Sequence, residues 1–307
     1  MSPSAIAYAE LATATLQFDP SRIVGRGVFA PVYRGELCRG QSVAIKKFPF
    51  ASENSGEAAK EFQLEVQLLS MCRHENIVPL VAFSMEPINP LCLVHLFLSG
   101  GALSDALRNP RRRALIGAVH RARIAADVAS GLRYLHTELR VVHRAVKSAN
   151  ILLDADSRAR LGNLRLARDV DLRRRIVALG SPGYLDPETR STFKLTAGSD
   201  IFSFGVVILE LLTSAPAVDP ALQPPALSAR LRDRIPDAAA DVADALAFAD
   251  GDVAPRLAAL AKRSIAPTSD ARPTAAELAE ALEVLHADAR DASCLPPGSS
   301  QGLPGMF

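Results

Sequence analysis

The sequence predicts an α+β chain with two unequal lobes, a small β-rich lobe over residues 19–96 and a larger, mostly helical lobe over residues 97–288. Three observations predict it. Period-two alternation from Ser42 to Phe48 places Val43 and Ile45 on one side of a strand and Ala44 and Lys46 on the other. From about residue 103 onward, apolar residues recur at helical spacing. Between the two regions Ser99-Gly100-Gly101 breaks the pattern and marks a hinge. Strands first and helices afterwards is an α+β order.

Taken in order, residues 1–18 read as an N-terminal flank, and Arg22 to Arg34 as a strand, a glycine turn and a strand. Glu57 to Cys72 is a helix with Phe62, Val66 and Leu69 on one stripe and Glu65 beside them. A carboxylate on an inward stripe is costly unless paired. Leu91 to Leu96 is a buried strand. In the second lobe Ile124, Val128, Leu132 and Leu135 form one helical stripe. Ile201 to Thr213 is apolar nearly all round, as a buried central helix must be. Residues 214–266 are broken by proline and loosely helical. Thr274 to Ala287 forms a last amphipathic helix after Pro273. Residues 289–307 read as a disordered tail, because Cys294 to Phe307 is rich in Pro, Gly and Ser.

Composition narrows the function classes. The 307 residues are 49% hydrophobic and 22% charged, as in a globular protein, and the net charge of +2 gives no argument for nucleic acid. Cys38, Cys72, Cys92 and Cys294 show neither metal spacing nor a disulfide framework, which suits a reducing cytoplasm. No apolar run reaches the roughly 18 residues of a membrane span, and Met1-Ser2-Pro3 has neither a signal-peptide build nor a myristoylated glycine.

The motifs are more specific. Val24-Gly25-Arg26-Gly27-Val28-Phe29 leads to Val32-Tyr33-Arg34-Gly35. Arg73-His74-Glu75-Asn76-Ile77-Val78, Val142-His143-Arg144-Ala145-Val146-Lys147-Ser148-Ala149-Asn150, Gly183-Tyr184-Leu185-Asp186-Pro187-Glu188 and Ser199-Asp200-Ile201-Phe202-Ser203-Phe204-Gly205 follow. Any one of these is a weak signal; in this order and spacing they resemble a eukaryotic protein kinase. The closest likeness is to plant receptor-like and receptor-like cytoplasmic Ser/Thr kinases, over about residues 8–288, with a flank from Tyr8 to Thr15 like the segment that leads into such domains.

The resemblance implies a bilobal kinase fold and a set of roles. Gly25 and Gly27 belong to the hairpin whose amides cover ATP phosphates. Alone, that hairpin reads as a structural turn. Its third glycine is Ala30, and Pro31 then removes an amide donor and biases Ala30 toward extended backbone, so phosphate grip is loosened. Lys46 is the phosphate lysine and Glu65 its helix partner, a pair that also pins helix to sheet without catalysis. Val32, Ala44 and Leu152 would sandwich adenine. His95 stands at the gatekeeper position as a core histidine satisfied by hydrogen bonds, and Leu96 begins the hinge. Lys147 and Asn150 keep the types that meet phosphate and the second magnesium. His143 belongs to an apolar stack with Leu69 and Leu164; Asp200 holds the catalytic-loop backbone; Glu188 and Arg272 form a buried ion pair.

Departures fall on the chemistry. Ala145 replaces the aspartate that accepts the substrate hydroxyl proton, and Asn163-Leu164-Arg165 replaces the metal-binding Asp-Phe-Gly. Losing a positioned base costs about 10²–10⁴-fold in rate. Asn163 offers a neutral carbonyl where magnesium wants an anionic oxygen, so Mg is expected to bind weakly or not at all. Arg165 brings a long cation that could approach the phosphates. No Ser, Thr or Tyr lies between Asn163 and Gly180, a stretch that is basic at Arg173-Arg174-Arg175, and Ser181 is the first hydroxyl after it. Switching by phosphorylation inside that stretch is excluded.

The resemblance with its departures implies a pseudokinase. It would serve as allosteric partner or scaffold for an active kinase or receptor complex in receptor-like kinase signalling, either with ATP in its apolar pocket or as a bare scaffold. Its place would be the cytoplasm, with recruitment to the plasma membrane through a partner. The alternative is a weakly active ATP-dependent Ser/Thr kinase. A small-molecule phosphotransferase of related fold does not suit the segment from Tyr184 to Glu188.

Overall fold

The computed structural model describes residues 3–27, 30–38, 40–49, 55–169, 180–235, 237, 239–248 and 252–293. The small lobe contains β1 (Ser4–Ala5), α1 (Tyr8–Ala14), β2 (Ile23–Arg26), β3 (Pro31–Leu37), β4 (Gln41–Lys47), α2 (Ser55–Met71), β5 (Leu80–Ser84) and β6 (Cys92–Leu96). Its strands form one sheet in the order β1-β5-β6-β4-β3-β2, antiparallel except for the parallel pair of β1 and β5.

The expected alternation along β4 is present and decides the packing. Val43 and Ile45 are fully buried on one face. What covers them is the segment read as a flank. Leu11 of α1 is fully buried with them, beside Ala12 and Phe18. Lys47, on the same face, places its ammonium 4.0 Å from the centre of the Phe18 ring. The chain ahead of α1 adds the edge strand β1, pairing Ser4 with Ala82 and Ala5 with Phe83. The Tyr8 amide then donates to Glu86 Oε1 at 2.9 Å. The flank is therefore part of the small lobe: a sheet with apolar side chains on both faces needs a cover on each. Strand β5 was also absent from the expected elements.

Helix α2 covers the other face. Phe62 and Leu69 point inward with Glu65, and Val66 is only half covered. Gly100 and Gly101 make the hinge. Gly101 has φ +61°, and a Cβ on Gly100 would meet the carbonyl oxygens of Leu153 and Asp154 at 2.6 Å, so neither position takes a side chain without strain.

The large lobe runs β7 (Gly101–Ala102), α3 (Leu103–Arg108), α4 (Pro110–Arg113), α5 (Ala118–Thr137), β8 (Val141–Val142), β9 (Ile151–Leu153), β10 (Ala159–Leu161), β11 (Arg168–Asp169), α6 (Pro187–Thr192), α7 (Ala197–Thr213), α8 (Leu227–Leu231), α9 (Ala239–Val242), α10 (Val253–Ser264) and α11 (Ala275–Ser293). Two small sheets, β10-β9-β7 and β11-β8, carry the loops of the cleft. Helix α7 is buried nearly all round, as its sequence requires. The stripe of α5 is fully buried, and α5 packs along α11. Thr274 and Glu277 open α11 as a reciprocal cap: the Thr274 amide donates to Glu277 Oε2 at 2.7 Å and the Glu277 amide to Thr274 Oγ1 at 3.2 Å. This helix continues to Ser293, so residues 289–293 are helical rather than tail. Ala289 is buried and Asp288 pairs with Arg256 at 2.7 Å, which extends the packed face. Residues 294–307, the rest of the expected tail, and Arg173-Arg174-Arg175 lie outside the described residues. Among the described residues no helix is long and apolar enough to cross a membrane.

Leu11→Ala should lower stability by about 2–5 kcal/mol, the usual cost of emptying a closed apolar site. Equilibrium urea unfolding measures it; a change below 1 kcal/mol would mean that the flank does not cover the sheet.

Candidate functional site

The cleft between the lobes is built from β4 outward. Strand pairing sets Val32 opposite Lys46 and Ala44 opposite His95, so these side chains share the face turned away from α1. Lys46 Nζ lies 2.6 Å from Glu65 Oε2, and the Glu65 side chain is 2% exposed. The inward carboxylate of α2 thus has its partner, and the pair ties helix to sheet. Val32, Ala44 and Leu152 are each half-buried, the first two on the sheet and the third on β9, so the expected apolar walls come from both lobes.

The glycine hairpin is partly closed on itself. Gly25 sits on β2 opposite Val32, and the Gly27 amide donates to the Ala30 carbonyl at 2.9 Å. That donor is engaged within the hairpin, and Ala30 is buried. Val28 and Phe29 at the tip lie outside the described residues. His95 differs from expectation. Its Nδ1 is buried without a hydrogen-bond partner, although the Pro79 carbonyl is within hydrogen-bonding reach of the ring. Position 95 lies on a strand flanked on both sides, where backbone groups pair with each other and few remain for a side chain.

The floor of the cleft hangs from Asp200. Its carboxylate accepts the amides of His143 at 2.7 Å and Arg144 at 2.8 Å, and meets the His136 ring at 2.9 Å. His143 is fully buried, in the core with Leu69 and Leu164. Its Nδ1 accepts the Ala145 amide at 3.1 Å, which assigns the proton to Nε2, 3.1 Å from the Gly162 carbonyl. The loop thereby presents Ala145, Lys147 and Asn150. The Ala145 methyl can neither take nor orient a proton. Lys147 Nζ donates to Ser181 Oγ at 2.9 Å, and burial, then the Arg165 charge, pushes its pKa below the ordinary lysine value.

Asn150 and Asn163, the expected metal ligands, meet each other. Asn150 Nδ2 donates to the Ala145 carbonyl at 2.7 Å, which turns its Oδ1 toward Asn163. Asn163, in left-handed backbone at φ 65°, donates its Nδ2 to that oxygen at 3.2 Å. The amide leaves one neutral carbonyl on Asn163 for a cation. Among the described residues no group of His, Cys, Asp and Glu could hold a metal. The residues suit a nucleotide base and phosphates; they do not suit magnesium.

Residues beyond the cleft complete the frame, and some were not foreseen. Glu210 of α7 is fully buried and accepts from Tyr184 at 2.5 Å, Ser148 at 2.9 Å and Arg108 at 2.9 Å. Burial still raises its pKa, and burial with the Glu210 charge raises that of Tyr184. This network joins the catalytic loop to the segment before α6. Its sequence signal is a single glutamate in the otherwise apolar run from Gly205 to Leu212. Arg272 pairs with Asp186 at 2.6 Å rather than with Glu188, a correction to the expected ion pair. Asp186 caps α6, accepting the Glu188 and Thr189 amides, and its position at the helix start brings it to the guanidinium. Glu188 accepts the Ser269 amide at 2.5 Å instead.

The family model described as protein tyrosine and serine/threonine kinase matches residues 18–282. The chain belongs to this family. The receptor-like kinase of Arabidopsis thaliana named leaf rust 10 disease-resistance locus receptor-like protein kinase-like 1.2 is 39% identical over 217 residues, 69% of this chain and 33% of that protein. The probable serine/threonine-protein kinase PBL28 of the same plant is 40% identical over 220 residues, 68% of this chain and 58% of its own length. The LRR receptor-like serine/threonine-protein kinase SIK1 of Oryza sativa subsp. japonica is 36% identical over 217 residues, 69% of this chain and 22% of its own. The kinase domain therefore spans between 22% and 58% of the length of these relatives.

Two outcomes test the frame. Asp186→Ala should cost about 3–5 kcal/mol by stranding a buried guanidinium, and Glu188→Ala about 1.5–3 kcal/mol. Denaturant melts giving the reverse order would reinstate the Glu188 pair. Burial also pushes His143 and His95 below the ordinary value of 6.5. The unfolded chain therefore takes up protons that the folded one refuses. Stability is full above pH 6.5 and falls as pH drops through it toward the folded values, by at most about 1.4 kcal/mol per unit for each histidine. His95→Leu should flatten that fall between pH 7.5 and 5.5; an unchanged slope in urea melts counts against a buried neutral His95.

Proposed function

We propose that this kinase domain does not transfer phosphate efficiently and works by binding, as an allosteric partner or scaffold for an active kinase or receptor complex. The observation that carries the reading is the Ala145 methyl standing where a proton acceptor is required, next to an amide pair in place of metal ligands. A missing base alone accounts for about 10²–10⁴-fold in rate, and loss of the cation removes charge stabilisation in the transition state as well.

The supporting frame is meanwhile intact: Lys46 with Glu65, Asp200 under the loop, Asp186 with Arg272. A domain held together this way can present a fixed surface without turnover. The receptor-like kinases among its relatives suggest the class of partner, on the cytoplasmic side and at the plasma membrane through that partner. ATP, where it binds, would act as a ligand that stabilises the fold by mass action.

A second reading, a weak Ser/Thr kinase, draws on the retained Lys46–Glu65 pair with Lys147 and Asn150 in place. One assay separates the two. Purified protein with labelled ATP and magnesium or manganese should transfer no more phosphate to itself or a generic substrate than Lys46→Ala does. Transfer that depends on Lys46 would overturn the binding-only account. Ala145→Asp with Asn163→Asp should raise transfer above the unmodified chain if those two groups are what is missing.

A further inference from the structure

A cavity of about 350 Å³ lies against the hinge, lined by Gly100, Arg112, Leu115, Ile116, Leu153 and Asp154 among others. It is outside the nucleotide cleft, since alternation along β9 turns Leu153 away from the wall that Leu152 forms. An apolar lining with a few polar groups is the build of a small-molecule site. Here the floor is Ile116 and Leu153, 4% and 2% exposed, and Leu115 stands open beside them at 74%. The charged groups are one acid and one base. Asp154 is engaged in its own turn, where its Oδ1 accepts the Asp156 and Arg158 amides at 3.0 and 2.9 Å. The base belongs to α4. Asn109 Oδ1 caps that helix by accepting the Arg111 and Arg112 amides at 3.1 and 3.2 Å, and three arginines follow in a row. Arg113 turns to Asp244 at 3.6 Å, and Arg111 is exposed. Arg112 is half-buried and gives an Nη2 donor to the Gly100 carbonyl of the hinge. A guanidinium carries five donors in a planar fork. Among the described residues the rest of this fork has no partner, and no carboxylate pairs with it.

We propose that the cavity binds a small carboxylic acid in its ionised form, with both oxygens on the Arg112 fork and a short apolar body over Ile116 and Leu153. Fork and carboxylate match in plane and spacing. A bare hydrocarbon would leave the guanidinium unpaired, and an inorganic anion would leave the apolar floor wet. One guanidinium, with Asp154 in the same lining, suits a single negative charge better than the double charge of a phosphate. The ligand would share Arg112 with the hinge carbonyl, which places its site at the joint between the lobes. The site goes beyond the scaffold reading and does not rest on it.

Calorimetric titration of the full chain with hydrocinnamate, and separately with its neutral amide, tests it. The acid should bind with a Kd of millimolar order or tighter, and the amide about tenfold or more weaker. Arg112→Gln should cost the acid a similar factor, while Arg111→Gln leaves its affinity unchanged. Arg112 also holds the hinge, so melts check that its variant folds. Leu115→Glu leaves the hinge bond in place and should weaken the acid by setting a like charge at the rim. Equal binding of acid and amide overturns the proposal. So does full affinity in Arg112→Gln or Leu115→Glu, an equal loss in Arg111→Gln, or no binding at about 10 mM acid. None of these residues takes part in phosphoryl transfer, which the labelled-phosphate assay judges separately.

Discussion

The buried carboxylate of Asp200 is the constraint on which the cleft depends. Arg144 has a backbone φ of +68°, a region that costs a residue with a side chain about 1–2 kcal/mol. The loop keeps this turn because Asp200 accepts two successive amides, those of His143 and Arg144, while α7 holds Asp200 out of water. From that anchor the chain has little freedom. His143 drops into the core, the Ala145 amide turns back to its ring, and Lys147 and Asn150 emerge on the cleft side. A loop specified by its backbone presents whatever side chain stands at position 145.

This explains how catalytic groups can be absent from a well-formed domain. The polar groups of the frame are bonded to one another, with buried Asp186 on buried Arg272 and buried Glu210 on Tyr184, Ser148 and Arg108. Buried polar groups left without partners cost the full desolvation penalty. Ala145 is half-buried and Asn163 exposed, and among the described residues no buried group is left unpaired for want of a carboxylate at either place. Stability and chemistry are thus carried by different residues.

The same division decides how much was legible in the sequence. Patterns that repeat along the chain can be read: the alternation of β4, the inward Glu65 that has to find Lys46, the run from Ile201 to Thr213 that is apolar nearly all round. The motif order gave the kinase fold. Pairings fixed in three dimensions could not be read so well. Asp186 and Glu188 are both acids near the start of α6, and only the cap geometry selects Asp186 for Arg272. Residues 1–18 carry too short an apolar pattern to announce that they close a sheet face; the sign of it is the Val43 and Ile45 face of β4, which needs a cover beside the one that α2 gives the opposite face. Glu210 draws its partners Arg108, Ser148 and Tyr184 from distant parts of the chain, which no local pattern announces. His95 was expected to be satisfied, yet its place between paired strands leaves Nδ1 without a partner.

The amide pair at the cleft shows what asparagine does at position 163. The Ala145 carbonyl fixes the Asn150 carboxamide and aims its oxygen at residue 163. An aspartate there would set acceptor against acceptor, an arrangement that only a cation or a proton relieves. Asparagine supplies an N–H donor and closes the gap without either. With that bond made, a metal would have to break it and gain only neutral oxygens. The substitution therefore puts a donor where an aspartate would have supplied the one anionic oxygen, and the two carboxamides close on each other.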